Sequence, residues 1–313
     1  MKEIVLAADL GGTNLRMAAV DRDGKILYRT KRATPRVEKA EDILFAIVES
    51  ADECRKNIKE IGEIKAIGVA VPSGVNYEKG IIIKAPNVPC LDGFRMSAAL
   101  SSELNLPVAL ENDANAYAIG EQTFGAAKGF CSAIAVTLGT GVGGGIILDD
   151  KIIRGIDGMA GEIGHITVEP FGVSCNCGGR GCVEQYSSAT AIVRLTRELE
   201  NQYPKSSLQN KIRLSSADVF EAGMKGDELA LEVFRQMGFY LGVALSSLIN
   251  CLNPEVIVIG GGASAGWNLF INHVNDQIKT RSYRVSGERA KIVKAICGDD
   301  AGILGVAKLA FEL

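Results

Sequence analysis

The feature that most constrains the fold is a repeat. Residues 5–13 read VLAADLGGT and residues 133–141 read AIAVTLGTG, each an apolar run that closes on Leu-Gly and a turn of small residues. At an offset of 128, Asp9, Leu10 and Gly11 fall on Thr137, Leu138 and Gly139, and Val20 and Asp21 fall on Leu148 and Asp149. Two matches at one offset, each strand–turn–strand, indicate internal duplication of a βββα-type unit. A chain of 313 residues has room for two such halves, since single cores stop growing near ~250–300 residues.

The remaining pattern alternates strand and helix. Strands are expected over 4–10, 15–20 and 25–34, with Asp23-Gly24 as a hairpin turn. The spacing of Ile43, Leu44, Ile47, Val48 and Ala51 predicts a helix over 41–58. A strand over 64–71 closes on Pro72-Ser73-Gly74, and a strand over 108–111 runs into a helix over 113–124. In the second half a long helix is expected over 227–252, stopped by Asn253-Pro254, then a buried strand over 255–259 running into Gly260-Gly261-Gly262. A last helix is expected over 299–311, and residues 201–207 read as a surface loop. No flexible linker separates the halves, so they are expected to pack closely and to hinge.

Apolar residues make up 47 % of the chain and the net charge is −3, which supplies a large core and no global attraction to nucleic acid or anionic membrane. No apolar run approaches the ~20 residues of a membrane span. The opening segment, with Lys2, Glu3 and Asp9, fits neither a signal peptide nor an anchor. The expected location is the cytoplasm.

The two turns carry chemistry. Glycines let backbone N–H groups approach phosphate oxygens with no Cβ in the way, and Thr13 adds a hydroxyl after Gly11 and Gly12. Asp9 cannot neutralise phosphate, but it can hold Mg²⁺ directly or through water. Gly139, Thr140 and Gly141, followed by Gly143 to Gly145, form the second turn. Paired turns in two half-domains would clamp a polyphosphate; singly, each is also compatible with a plain hairpin. Neither fits the P-loop or the dinucleotide fingerprint in context.

Asp113 follows the strand segment VALEN and opens a helix. One reading makes it a helix cap. The other makes it a carboxylate at the C-terminal end of a strand, placed to accept a proton from an attacking hydroxyl.

Of eight cysteines, Cys54, Cys90, Cys131, Cys251 and Cys297 are scattered and read as small buried hydrophobes. Cys175, Cys177 and Cys182 follow His165 as H-x9-C-x-C-x4-C, with Gly178, Gly179 and Gly181 as turn residues. Three thiolates and one imidazole close a tetrahedral Zn²⁺ shell, so the metal would be structural. His273 lies in a helical pattern and reads as an ordinary surface or half-buried residue.

These motifs together resemble the ROK family (repressors, open reading frames, kinases) of sugar kinases, with close similarity to its bacterial glucokinases. They are DLGGT at 9–13, PNV at 86–88, END at 111–113, LGTGVGGG at 138–145, GEIGH at 161–165 and CNCGGRGCVE at 175–184, in order over essentially the whole chain. The resemblance implies an α/β, actin-like (ribonuclease-H-like) ATPase fold, its two lobes built from a duplicated βββαβαβα unit. It implies a small lobe of residues 1–117 with 299–313, the last helix returning to it, and a larger lobe of 118–298 carrying the zinc loop. It implies transfer of the γ-phosphoryl group of ATP to a hexose hydroxyl, most often O6, with Asp113 as base. Gly74, Asn87, Asn112, Asp113, Glu162, His165 and Glu184 match sugar-binding positions. Gly11, Gly12, Thr13, Thr140 and Gly141 match phosphate contacts, and Gly261 and Gly262 lie where adenosine packs. Carboxylates and amides suit a ring of hydroxyls, which they pair two at a time. His165 would give one nitrogen to zinc and turn the other toward sugar, zinc locking the loop that carries Glu162 and Glu184. A dimer or tetramer is implied as well.

Two segments depart from the family pattern. After Pro86-Asn87, where an aromatic residue is common, the chain has Val88-Pro89-Cys90-Leu91, and Pro72-Ser73-Gly74 replaces the usual forms of that turn. Both border the sugar, which keeps N-acetylmannosamine, N-acetylglucosamine, fructose and allose open beside glucose. Repressors of the family carry a helix-turn-helix ahead of the first turn, and with Asp9 so early in the sequence none is expected here. A sugar sensor without catalysis sits poorly with an intact Asp113, and an actin-like ATPase without acceptor leaves the metal loop without a purpose.

Overall fold

The computed structural model describes residues 2–36, 39–86 and 88–313. Asn87, expected among the sugar contacts, lies outside the described residues. The first half contains β1 (Lys2–Leu10), β2 (Asn14–Asp21), β3 (Ile26–Ala33), α1 (Ala40–Ile58), β4 (Gly62–Val71), β5 (Gly74–Asn76), β6 (Ile81–Lys84), α2 (Met96–Leu104), β7 (Val108–Asn112) and α3 (Asp113–Phe124). The second contains β8 (Ala133–Leu138), β9 (Val142–Leu148), β10 (Lys151–Ile152), α4 (Glu184–Ser187), α5 (Ala189–Leu199), α6 (Ser216–Met224) and α7 (Glu228–Leu252). It continues with β11 (Val256–Gly260), α8 (Trp267–Arg281), α9 (Arg284–Arg289), β12 (Lys291–Lys294) and α10 (Ala301–Ala310).

Two five-stranded sheets have the orders β3-β2-β1-β4-β7 and β10-β9-β8-β11-β12. In the first, β1 is antiparallel to β2 and parallel to β4, which is parallel to β7. In the second, β8 and β12 both run parallel to β11, and β10 is antiparallel to β9. β1 and β8 end at Leu10 and Leu138, and β2 and β9 begin at Asn14 and Val142, so the offset of 128 holds at both sides of the turn. The duplication read from two short matches is therefore a duplication of sheet topology.

The chain forms two compact units, one of residues 1–130, 145–161 and 296–313, the other of residues 131–144 and 162–295. In the first, β1 is buried from Ile4 to Leu10. Its two faces serve different layers, as a period of two requires. Ile4, Leu6, Ala8 and Leu10 pack with Ile43, Ile47 and Cys54 of α1 and Leu100 of α2. Val5 and Ala7 pack with Ile303, Val306 and Ala307 of α10. The C-terminal helix thus completes the N-terminal unit. It approaches closely because glycines remove side chains at the contacts: a Cβ on Gly305 would lie 1.8 Å from the Ala116 carbonyl oxygen, and one on Gly68 2.1 Å from that of Val306. In the second unit β11 is fully buried, and α7 is capped by Asp227 at its start and by Asn253 in the left-handed region at its end.

Most expected elements appear within one or two residues, and the helix over 113–124 is unchanged. The last helix starts at Ala301, after a 3-10 turn over Gly298–Asp300. The hairpin β5–β6 and strand β12 went unread, being short and, in β12, exposed at both ends. Among the scattered cysteines, Cys54 is buried, but Cys131 and Cys251 are exposed, one in the turn before β8 and the other on the outer side of the last turn of α7. Among the described residues no helix is long and apolar enough to cross a membrane.

Close packing of α10 predicts a contrast between two of its glycines. Gly305→Ala drives a methyl group into backbone and is expected to destabilise by about 2–3 kcal/mol. Gly302→Ala meets its nearest atom at 3.5 Å and gains helix propensity, so it is expected to be neutral or stabilising by up to about 1 kcal/mol. Thermal melting of the two variants checks this; equal midpoints would contradict the packing.

Candidate active site

Parallel pairing brings strand ends together. Asp9 lies opposite Ala70, Ala70 opposite Glu111, and Val71 opposite Asn112. One edge of the first sheet therefore carries Asp9, the 72–74 turn and the Asn112–Asp113 corner side by side, at the C-terminal ends where α/β sheets place ligands. The 11–13 turn is held from behind. Gly11 N–H donates to the Asn14 carbonyl (2.8 Å), Thr34 Oγ1 to that of Gly11 (2.6 Å) and Thr34 N–H to that of Thr13 (2.9 Å). Gly12 and Thr13 stay exposed. Asp9 faces Arg16 across the β1–β2 ladder and forms an ion pair with it. Burial raises the Asp9 carboxyl above its ordinary range, and the Arg16 guanidinium opposes that rise. Asp299 lies 4.0 Å from the same guanidinium.

The cap of α3 is Asn112. Its Oδ1 accepts from Ala114 N–H (2.9 Å) and Asn115 N–H (3.0 Å), and its Nδ2 donates to the Ser73 carbonyl (3.1 Å). Of the two readings of Asp113, the cap thus falls to its neighbour. Asp113 is the first helical residue, half-buried, with Oδ1 accepting from Ala114 N–H at 2.9 Å. Asn112 also ties this corner to the turn that precedes Gly74. Gly74 is buried, and a Cβ there would fall 1.9 Å from Met159 Sδ. Glu111, whose sequence signal was only its place in END, is buried and pairs with Arg154, a residue that reading along the chain did not single out.

The second unit repeats the edge. Gly260 lies opposite Thr137, and Gly261, at φ +83°, has room only for hydrogen beside Leu138: a Cβ would sit 2.6 Å from its backbone nitrogen and oxygen. Gly262 faces open space. The 139–141 turn is fixed by the start of α5, where Ala189 N–H donates to the Gly139 carbonyl and Thr190 Oγ1 to that of Thr140, both at 2.8 Å. Glu184 reaches the same turn. Its Oε2 accepts from Val142 N–H (2.9 Å), and a Cβ on Gly141 would come within 2.2 Å of that oxygen. Gly164 is likewise required, since a Cβ there would meet the Val142 carbonyl at 2.0 Å. This seats the 3-10 turn Ile163–His165 against β9, with Glu162 just before it.

His165, Cys175, Cys177 and Cys182 converge, one ligand atom from each lying within 4.8 Å of all the others. Cys177 Sγ and Cys182 Sγ are 3.7 Å apart, and Cys175 Sγ is 3.6 Å from His165 Nδ1. Tetrahedral Zn²⁺ with Zn–S near 2.3 Å and Zn–N near 2.0–2.1 Å spaces its ligands by about 3.8 Å for two sulfurs and about 3.6 Å for sulfur and nitrogen. The donor set fits such an ion. Gly179 N–H, 3.4 Å from Cys177 Sγ, holds that thiol below its usual range, whereas burial pushes the neighbouring Cys182 thiol up to about 12. Nδ1 faces the cluster, and Nε2 lies 3.9 Å from Glu162 Oε2.

Two sheets of one order, each with a glycine turn between its first two strands and polar residues at its strand ends, define an actin-like ATPase fold. The ROK family profile matches residues 5–312. The chain belongs to the ROK family. It is 34 % identical to the glucokinase of Thermotoga maritima, covering 98 % of this chain and 97 % of that protein. The ROK family glucokinase of Streptomyces griseus, solved with glucose and AMPPNP, superposes with a TM-score of 0.83 at 33 % identity over 99 % of this chain and all of that one. A ROK family transcriptional regulator superposes at 0.90 with 28 % identity, covering 98 % of this chain and 77 % of that chain.

The division of labour at the corner predicts that Asn112→Ala costs about 1 kcal/mol of stability through the lost cap, whereas Asn112→Asp keeps the capping acceptor and loses only the bonds that Nδ2 donates to the Ser73 carbonyl and Asp113 Oδ1. Asp113→Asn keeps an oxygen that can accept from Ala114 N–H and is expected to cost less than Asn112→Ala, about 0.5 kcal/mol. Denaturant unfolding of the three variants measures this, and a large loss in Asp113→Asn would return the cap to Asp113.

Proposed function

We propose that this chain is an ATP-dependent sugar kinase that phosphorylates a hexose, with O6 of glucose as acceptor and Asp113 as general base. Its kinship to glucokinases along its whole length supports the reaction. The observation that supports the role of Asp113 is its place, a half-buried carboxylate just past the end of β7, beside an α3 whose cap is Asn112. Phosphoryl transfer asks the protein for position and charge stabilisation, and an ionised Asp suffices to take the proton of the attacking hydroxyl. Gly74, Asn87, Asn112, Glu162, His165 and Glu184 are proposed to hold the sugar. Gly11, Gly12, Thr13, Thr140 and Gly141 are proposed to donate to phosphates, with adenosine at Gly261 and Gly262. Asp9 suits Mg²⁺ reached through water, its own charge being balanced by Arg16. Zn²⁺ on His165, Cys175, Cys177 and Cys182 would hold the loop and open no catalytic site. The enzyme is read as cytoplasmic and homo-oligomeric, acting in hexose breakdown. The unusual segment 88–91 keeps other hexoses, N-acetylmannosamine among them, as the second reading.

A coupled assay for ADP release with ATP and Mg²⁺, across glucose, fructose, allose, N-acetylglucosamine and N-acetylmannosamine, tests the proposal. Turnover is expected on glucose, lost by about 10²–10⁴-fold in Asp113→Asn. ADP release that no sugar stimulates would overturn it. Metal analysis is expected to give one zinc per chain, and chelation to raise the KM for sugar well before that for ATP. Chelated protein with unchanged sugar affinity would remove zinc from the site.

A further inference from the structure

We infer that Arg154 and Glu111 form a positioning pair for the catalytic corner. The inference rests on Asp113 being the base, and adds a residue outside every motif noted above. Arg154 Nε and one terminal nitrogen reach Glu111 Oε2 at 2.8 and 2.7 Å. The Glu111 side chain is 2 % exposed, and its other oxygen, Oε1, accepts from Asn112 N–H and Asn115 Nδ2, both at 3.0 Å. One carboxylate thus holds the backbone just before Asp113 and the first turn of the helix that Asp113 opens.

Arg154 carries this hold outward. Its guanidinium stacks on the Tyr77 ring, 3.9 Å from the centroid, in the β5–β6 hairpin that begins at Gly74. Its carbonyl accepts from Ala160 N–H (3.1 Å), closing the 154–160 loop, and that loop packs on β5 through Gly158 and Met159. A fork-shaped, planar cation is required, because it must bond a carboxylate edge-on while stacking on a ring. The sugar-side turn, the base and the loop leading toward Glu162 are therefore referenced to one ion pair, and its loss would displace Asp113 without touching any ligand.

The experiment compares Arg154→Lys, Glu111→Gln and the double variant Glu111→Gln/Arg154→Met in full-length protein, measuring kcat, both KM values and the melting midpoint. Arg154→Lys keeps the charge and is expected to fold, with kcat reduced about 10- to 100-fold and the KM for ATP within about twofold. The double variant leaves no charge buried alone, so its melting midpoint is expected to recover relative to Glu111→Gln while kcat stays low. Recovery of kcat together with stability, or kcat within twofold of wild type in Arg154→Lys, would overturn the positioning role. Asp113→Asn runs alongside. An active Asp113→Asn overturns the base and the inference with it, whereas an inactive Asp113→Asn beside a fully active Arg154→Lys overturns the inference alone.

Discussion

Burial of β1 on both faces is the constraint that organises the first unit. Side chains from Ile4 to Leu10 alternate between one helical layer containing α1 and another containing α10, so this strand has no free face. A strand buried in this way can offer chemistry only at its ends. Asp9 is the last polar opportunity before the turn, and β4 and β7, parallel to β1, bring their own ends to the same edge. The same logic, repeated 128 residues later, makes the 139–141 and 261–262 turns neighbours in the second sheet. Glycine in these turns answers crowding as much as ligand approach, since Gly141 faces the Glu184 carboxylate and Gly261 the Leu138 backbone.

Carboxylates drawn to such edges are partly withdrawn from water, and each here has an answering group. Asp9 has Arg16, Glu111 has Arg154 with two further donors, and Glu184 has the Val142 amide. Breaking a buried pair from one side typically costs about 3–5 kcal/mol, because the remaining charge is stranded. These pairs therefore add little net stability over apolar packing, yet they fix orientation tightly. Glu121 shows the same principle away from the site. Fully buried, it accepts from Ala126 and Cys297 N–H groups and anchors the turn into α10, while burial and that carboxylate push the Cys297 thiol up to about 12.

Periodicity and turn chemistry made much of this legible along the chain. The buried runs of β1, β4 and β11 read as strands, α1 and α7 read from their spacing and stop signals, and the His-Cys spacing named four residues that converge. Asp113 was legible as a choice between two roles, because a strand-end acid and a helix cap share one sequence signal; only the bonds of Asn112 separate them. Arg154 was illegible. It lies in an ordinary-looking loop 43 residues from its partner, and an arginine there carries no mark until topology brings β7 beside it. The exposed Cys131 and Cys251 mislead for the opposite reason, since apolar neighbours along the chain do not say which side of a turn or helix faces water.

The cluster of His165, Cys175, Cys177 and Cys182 offers an answer to a problem that packing cannot solve. Between Ile166 and Val183 the chain is held by turn hydrogen bonds and isolated bridges, Thr167 to Cys182 and Ser174 to Arg180, and most side chains are exposed or half-buried. Gly181 fits only because it lacks a side chain, with the Glu169 carbonyl oxygen 1.7 Å from where a Cβ would be. A loop so rich in turns buries too little apolar surface to offset its ordering entropy, about 1–2 kcal/mol per residue. A metal ion on the four convergent residues would supply that order. The ligands are also placed to export it, His165 three residues after Glu162 and Cys182 two before Glu184. Rigidity gained from such an ion would thus reach, through one short 3-10 turn and the first residue of α4, the two carboxylates proposed to grip the sugar.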